Sequence, residues 1–260
     1  MARSRKDSAL QMDAFSIHGG RRLTGTISVD GSKNAALPLL AASLLTQERV
    51  EFECVPDLSD ISSMYRLLEE LGCTVEQGGN SVTIKTVDET QSHARYDIVR
   101  TMRASVCVLG PMLARRGIAR VSMPGGCSFG DRPIDLHLRG LEALGARIEL
   151  DGGDIIARAD RLQGATIFLG GPFGSTVLGT ANVMSAATLA NGKTIIESAA
   201  CEPEITDLAN LLNSMGAKIS GAGTPRITID GVEELGSAKH AVMPDRIVAG
   251  TWVIACAMTN

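Results

Sequence analysis

Leu67-Leu68-Glu69-Glu70-Leu71-Gly72-Cys73 reads as the end of a helix stopped by a glycine, and the same grammar returns twice. Gly140-Leu141-Glu142-Ala143-Leu144-Gly145-Ala146 and Leu211-Leu212-Asn213-Ser214-Met215-Gly216-Ala217 repeat it, so that Gly72, Gly145 and Gly216 stand about 70 residues apart. A glycine closes a helix well because it takes the left-handed conformation at the C-terminal cap without a Cβ penalty. After each of them comes a β-rich pair, at 74–86, 147–158 and 218–230.

Working outward, an apolar helix (35–45, 104–114, 181–190) and a strand (50–54, 119–123, 194–197) precede each stop. Between strand and second helix lies a proline-containing loop ending in Leu58-Ser59-Asp60, Pro133-Ile134-Asp135 or Ile205-Thr206-Asp207, where the Asp is the expected N-cap. Ser32 is the expected cap of the first helix, with Pro38 near its first turn. The fold class expected is α/β, with internally repeated helix-strand-helix-strand-strand units packed around shared central helices. A unit of about 70 residues cannot bury its own helices securely, so three must share one core. Residues 247–258 read as the opening helix of a fourth copy; apolar nearly all round, it needs burial, so the expectation is a chain that is part of a longer protein, an end that is frayed, or an end that pairs with another chain. Before the repeats, Phe15 and Ile17, then Leu23, Ile27 and Val29, predict two short strands around a turn at Gly19-Gly20.

The composition, 260 residues with 44% hydrophobic, 21% charged and only 3% aromatic, supports a globular protein with an aliphatic core. A net charge of −4 and few aromatics argue against a nucleic-acid partner, so an anionic ligand must be held by local cations. Cysteines at 54, 73, 107, 127, 201 and 256 have no Cys-x-x-Cys spacing and the four histidines are scattered, so no metal and no cofactor are expected. No apolar run is long enough to span a bilayer; a soluble protein of the reducing cytoplasm, without a membrane partner, is expected.

Chemistry is expected at Pro124-Gly125-Gly126-Cys127-Ser128-Phe129-Gly130-Asp131-Arg132-Pro133. Its glycines and prolines make it a loop, and it sets a thiol beside a cation. A thiol reacts as thiolate, and a free Cys with a pKa near ~8.5 is only slightly ionised at neutral pH, so Arg132 would activate Cys127. Cations also sit where a helix dipole disfavours them: Lys33 at the first helix start, and Arg100 and Arg103 at that of the second copy, after Thr101 as cap. The third copy offers Gly174-Ser175-Thr176-Val177-Leu178-Gly179-Thr180, a small-residue start that exposes N–H groups and hydroxyls to an anion. Packed with approximate symmetry, these starts and Arg132 converge on a site for several phosphates or carboxylates. Neither a P-loop nor a Gly-x-Gly-x-x-Gly pattern is present, which disfavours nucleotidases and Rossmann dehydrogenases.

From Phe15 onward the chain carries, in this order, Gly31-Ser-Lys-Asn-Ala-Ala-Leu, Arg100-Thr-Met-Arg-Ala-Ser, Pro124-Gly-Gly-Cys, Arg132-Pro-Ile-Asp-Leu-His, Ser185-Ala-Ala-Thr-Leu-Ala, Glu202-Pro-Glu-Ile-Thr-Asp and Pro244-Asp-Arg. On these motifs it resembles the UDP-N-acetylglucosamine enolpyruvyl transferase family. It implies two lobes of three units each with ligand between them. This chain would supply N-terminal strands of the second lobe (1–30), one complete three-repeat lobe (31–243) and the start of the second lobe (244–260). The implied reaction transfers the enolpyruvyl group of phosphoenolpyruvate to the 3-hydroxyl of UDP-N-acetylglucosamine, releasing phosphate, as the first committed step of peptidoglycan synthesis. By resemblance Cys127, the thiol that fosfomycin attacks, donates a proton to the methylene carbon, and Lys33 and Arg132 hold the phosphate. Lys33, Asn34, Arg103, Arg132, Pro133, Ile134, Asp135, Leu136, Gly174, Ser175, Thr176 and Val177 form the implied substrate-binding set. Cys107 stands where many relatives have Trp, and Leu178 where many have Gly. The implied general base and carboxylate-binding arginines have no counterpart in this sequence. Two alternatives are a non-catalytic UDP-sugar-binding lobe and a shikimate-pathway enolpyruvyl transferase; the latter is disfavoured by Asn34 after Lys33 and by the loop cysteine.

Overall fold

The computed structural model describes residues 16, 18–123, 134–172 and 174–259. Helix α1 (Lys33–Ala42) starts at Ser32, whose hydroxyl accepts from the Ala35 N–H at 3.3 Å, and continues as a 3-10 turn through Ser43–Leu45. Pro38 lies in its second turn, one turn further in than expected. The proline leaves the carbonyl four residues back without its donor, and Asn34, which owns that carbonyl, is exposed to water. Strand β1 (Val50–Glu53), helix α2 (Ser59–Glu70) and the hairpin β2 (Cys73–Gly78) and β3 (Ser81–Thr86) complete the first unit.

A linker with β4 (His93–Ala94) and a short α3 (Tyr96–Val99) leads to the second unit. There a 3-10 stretch, Arg103–Val108, precedes α4 (Leu109–Arg116), followed by β5 (Ile118–Ser122), α5 (Asp135–Ala143), β6 (Arg147–Asp151) and β7 (Asp154–Arg158). The expected continuous helix over 104–114 is thus broken. Pro111 has no N–H to donate, which is harmless in the first turn of an α-helix, and α4 begins so that Pro111 falls there. Strands β8 (Thr166–Phe168), β9 (Gly170–Gly171) and β10 (Gly174–Ser175) lead to α6 (Val177–Ala187), β11 (Lys193–Glu197), α7 (Pro203–Ser214), β12 (Lys218–Ser220) and β13 (Arg226–Asp230). The three closing glycines have φ of +84° (Gly72), +93° (Gly145) and +107° (Gly216), as their place at the helix ends requires.

Each unit builds a four-stranded sheet in which the hairpin runs antiparallel to the unit's first strand. A short strand parallel to that first strand completes each sheet, and the sequence reading does not contain it. β4 serves the second unit and β8 the third. The first unit takes its parallel strand from the far end of the repeats, where β14 (Ala238–Ala241) pairs Ala238 with Val50 and Ala241 with Glu53. Ser32 N–H donates to Met243 O at 2.7 Å and Asp245 N–H to Asp30 O at 2.9 Å, so the ends of this unit, Val29 to Asp245, are stitched together.

Inside, α1 and α6 are buried on nearly all faces and touch each other; α6 also lies against α4, and both lie against the 3-10 stretch 103–108. α2, α5 and α7 cover them as amphipathic helices. Two close approaches depend on glycine. A Cβ at Gly110 would overlap Asn182 of α6, and one at Gly140 would overlap Val183 of α6.

The expected aspartate caps are corrected. α2 and α5 are preceded by Leu58 and Ile134 as caps, with Asp60 and Asp135 inside the first turn, where the helix dipole favours a carboxylate. α7 starts earlier because Pro203 takes its first position, which leaves Asp207 further along the helix.

The second compact unit comprises the described residues up to Ser28 and those from Arg246 onward. Helix α8 (Arg246–Thr259) has no buried residue, and Trp252, Val253 and Ile254 are exposed. Residues 18–30 form neither helix nor strand, against the expectation of a strand through Leu23, Ile27 and Val29. A strand needs a ladder partner, and α8 is the other described element in that unit. Phe15 and Ile17 lie outside the described residues.

Candidate functional site

Lys33 is the first residue of α1, a helix whose first turn carries no acidic residue. The dipole would penalise that cation, and Asp60 offsets the penalty: its carboxylate lies 2.9 Å from Lys33 Nζ, from the first turn of α2. Both side chains are partly exposed, so the pair is a poised cation rather than a large source of stability. Asn34 follows, exposed.

Arg103 opens the 3-10 stretch beside α4 and is half-buried. Arg100 and Thr101 do not form a helix start with it, contrary to expectation. Arg100 is the C-cap of α3 and lies 6.0 Å from the centroid of the Tyr96 ring, while the Thr101 hydroxyl donates to Ile98 O. The short helix α3 already occupies Tyr96–Val99, so the polar groups of Arg100 and Thr101 close one helix rather than open another.

Behind Arg103 is a buried polar cluster that sequence reasoning missed. Asn182 Oδ1 accepts from the Gly110 N–H at 2.6 Å, and Asn182 Nδ2 donates to Val106 O at 2.8 Å and lies 3.2 Å from His137 Nδ1. Because the Gly110 amide fixes the orientation of the carboxamide, His137 Nδ1 must accept and its proton sits on Nε2. Burial, aided by the Arg103 charge and opposed by Asp135, pushes the His137 pKa down to about 4. His137 is therefore neutral at pH 7. It ties the first turn of α5, with Asp135 exposed, Leu136 half-buried and Ile134 buried just before it, to α6 and the 3-10 stretch that begins at Arg103.

At the third start, Gly174 and Ser175 are exposed and Thr176 caps α6, its hydroxyl accepting from the Gly179 N–H at 3.2 Å. No acidic residue occupies that first turn, whose amides suit an anion. Val177 and Leu178 are half-buried against the core. Cys107 is buried, which pushes its pKa up to about 12, so it fills the core rather than facing a ligand. Cys127, Arg132 and Pro133 lie outside the described residues. Among the described residues no cluster of His, Cys, Asp or Glu could hold a metal, and no helix is long and apolar enough to cross a membrane.

Residues 17–260 match the family model described as EPSP synthase (3-phosphoshikimate 1-carboxyvinyltransferase). Among curated proteins, the chain is 55% identical over 249 residues to the UDP-N-acetylglucosamine 1-carboxyvinyltransferase of Methylacidiphilum infernorum, which covers 96% of this chain and 59% of that protein. It is 51% identical over 248 residues to the enzyme of the same name from Akkermansia muciniphila, covering 95% of this chain and 58% of that protein. The chain thus spans less than two thirds of the length of these relatives. Among solved structures, the enolpyruvyl transferase NikO from Streptomyces tendae superimposes with a TM-score of 0.79 at 24% identity, covering 92% of this chain and 56% of that one. EPSP synthase from Acinetobacter baumannii gives 0.71 at 19% identity, covering 93% and 55%. At such identities these two speak for the fold.

Proposed function

This chain belongs to the EPSP synthase family, and from that premise we propose that it is the Lys33- and Cys127-bearing lobe of an enzyme that joins phosphoenolpyruvate to UDP-N-acetylglucosamine. The observation that carries the reading is the 51–55% identity, over about 96% of the chain, to curated proteins named UDP-N-acetylglucosamine 1-carboxyvinyltransferase. In this proposal the sugar 3-hydroxyl oxygen forms a bond to C2 of phosphoenolpyruvate while Cys127 delivers a proton to C3, converting the double bond into a tetrahedral adduct. Loss of a proton from C3 and cleavage of the C2–O bond to phosphate then restore the double bond and release phosphate. The hydroxyl proton leaves to solvent or to a base that this chain does not supply.

The roles of the residues are those that the resemblance implies, and elementary electrostatics gives each a reason. Lys33, with Arg132, holds the phosphate and stabilises the negative charge that builds on it as the C2–O bond breaks. Asp60 holds the Lys33 ammonium by an ion pair until the phosphate shares the cation. Asn34, Arg103, the stretch from Arg132 to Leu136, and Gly174 to Val177 bind the UDP-sugar, with the α6 amides directed at its diphosphate. The product enters peptidoglycan synthesis, which places the enzyme in the cytoplasm.

Two measurements on the purified chain test this. Calorimetry should show UDP-N-acetylglucosamine binding, and phosphate release from phosphoenolpyruvate should respond to that acceptor and not to shikimate 3-phosphate. Response to shikimate 3-phosphate alone would overturn the acceptor assignment. Binding without turnover would identify a UDP-sugar-binding lobe that requires further residues for catalysis.

A further inference from the structure

We propose that Arg139 is a positioning residue: it straps the β9–β10 ladder to α5 and so sets the spacing between two halves of the UDP-sugar site. The substrate part of this inference rests on the functional reading above. Arg139 lies on the exposed face of α5, one turn after Asp135 and Leu136. From there its Nη2 donates to two main-chain carbonyls, Phe168 O and Gly170 O, both at 3.0 Å. A guanidinium nitrogen carries two hydrogens, so one atom satisfies both carbonyls, and the bonds are charge-assisted.

What these bonds hold, among the described residues, is a short ladder. Gly170 and Gly171 pair antiparallel with Ser175 and Gly174, a ladder of two residue pairs, and neither Gly174 nor Ser175 is buried. An isolated ladder of this size is not stable by itself. Its base is anchored by Leu169, fully buried, whose N–H donates to Glu197 O at 2.9 Å. Close approach is built in on the α5 side as well: a Cβ at Gly171 would lie 3.2 Å from Leu136 Cδ1 of α5. On the β8 side, one at Gly170 would lie 2.5 Å from the Phe168 ring. The first turn of α5 and the ladder that leads into α6 therefore sit side by side, with Arg139 as the polar tie across them.

The test compares wild-type chain with Arg139→Met, which keeps the stem and removes the donors, and Arg139→Lys, which restores a cationic donor. Two readouts are taken on each: hydrogen exchange of peptides covering 169–176, and calorimetric affinity for UDP-N-acetylglucosamine. Arg139→Met should raise exchange in 169–176 by about tenfold and weaken the sugar nucleotide by about tenfold, leaving exchange in β11 and β13 and the thermal midpoint unchanged. Arg139→Lys should recover most of both losses. Unchanged exchange in 169–176, or a rise spread evenly over the third sheet, would overturn the strap. Faster exchange in 169–176 with full affinity would overturn its positioning role. Failure of the wild type to bind UDP-N-acetylglucosamine, with the exchange difference intact, would overturn the functional reading while supporting the strap.

Discussion

Asn182 has three polar partners and His137 accepts from it, so neither side chain is free to change its protonation or orientation cheaply. The folded His137 pKa of about 4 lies below the ordinary value of 6.5, so the folded protein binds fewer protons than the unfolded chain between those pH values. The stability tied to neutral His137 is complete above pH 6.5 and is lost as pH falls towards 4, by up to about 3 kcal/mol. Urea unfolding at pH 7.5 and 4.5 should show this loss in the wild type and a smaller one in His137→Gln, which is neutral at both. Equal pH slopes would refute the assignment. The thiols supply a second check. Burial raises the pKa of Cys107 to about 12 and also raises that of Cys73, the latter opposed by Thr86 and Arg116. Iodoacetamide on the native chain should spare these two and modify Cys54, Cys201 and Cys256, which are exposed. Under the proposed function, fosfomycin with UDP-N-acetylglucosamine should label Cys127 in preference to all of them; label spread evenly would show that its thiol is not activated.

The repeated helix closures differ in what surrounds them. Gly145 has φ of +93° and open space where a Cβ would be, so Gly145→Ala meets only backbone strain, about 1 kcal/mol. At Gly72, φ +84°, a Cβ would also overlap the Asp88 carbonyl, and Gly72→Ala should cost several kcal/mol, about 3 or more. Unfolding midpoints of the two variants decide this; equal losses would mean that Asp88 yields freely. A second repeated device follows β1 and β11, where Cys54 and Ser198 adopt φ of +58° and +55°. Just beyond, Val55, Met123 and Ala199 each donate an N–H to a carbonyl at the tip of their unit's hairpin, at 2.9, 2.8 and 2.9 Å. Every unit thus ties a residue just beyond its first strand to its own hairpin, and in the second unit that tie, at Met123, stands four residues before Cys127.

The three units close on themselves because β14 returns to β1, and Asp207 secures the return. Its carboxylate lies 2.9 Å from His240 Nε2 and accepts from the Met243 N–H at 3.2 Å, from a largely buried position. Asp207→Ala should cost about 2 kcal/mol or more and speed hydrogen exchange in β1, whereas Asp230→Ala, which removes an exposed pair with Lys193, should change stability by less than about 0.5 kcal/mol. Similar losses in both would show that the closure does not depend on Asp207. The repeat, the strand and helix types and the glycine stops were legible in the sequence because each is decided by neighbours within a few residues: alternation along β3, a left-handed glycine after α2. So were Lys33 at a helix start and the small-residue entry at 174–180, whereas α6 begins at Val177 inside that entry and ends at Ala187, not over the expected 181–190. The pairing of β14 with β1, the Lys33–Asp60 contact and the Asn182–His137 cluster were not, because each joins residues far apart in the chain and leaves no periodic trace. Ala238-Lys239-His240-Ala241 is too short and too polar to read as a strand, and becomes one only because packing of three units brings β1 alongside it.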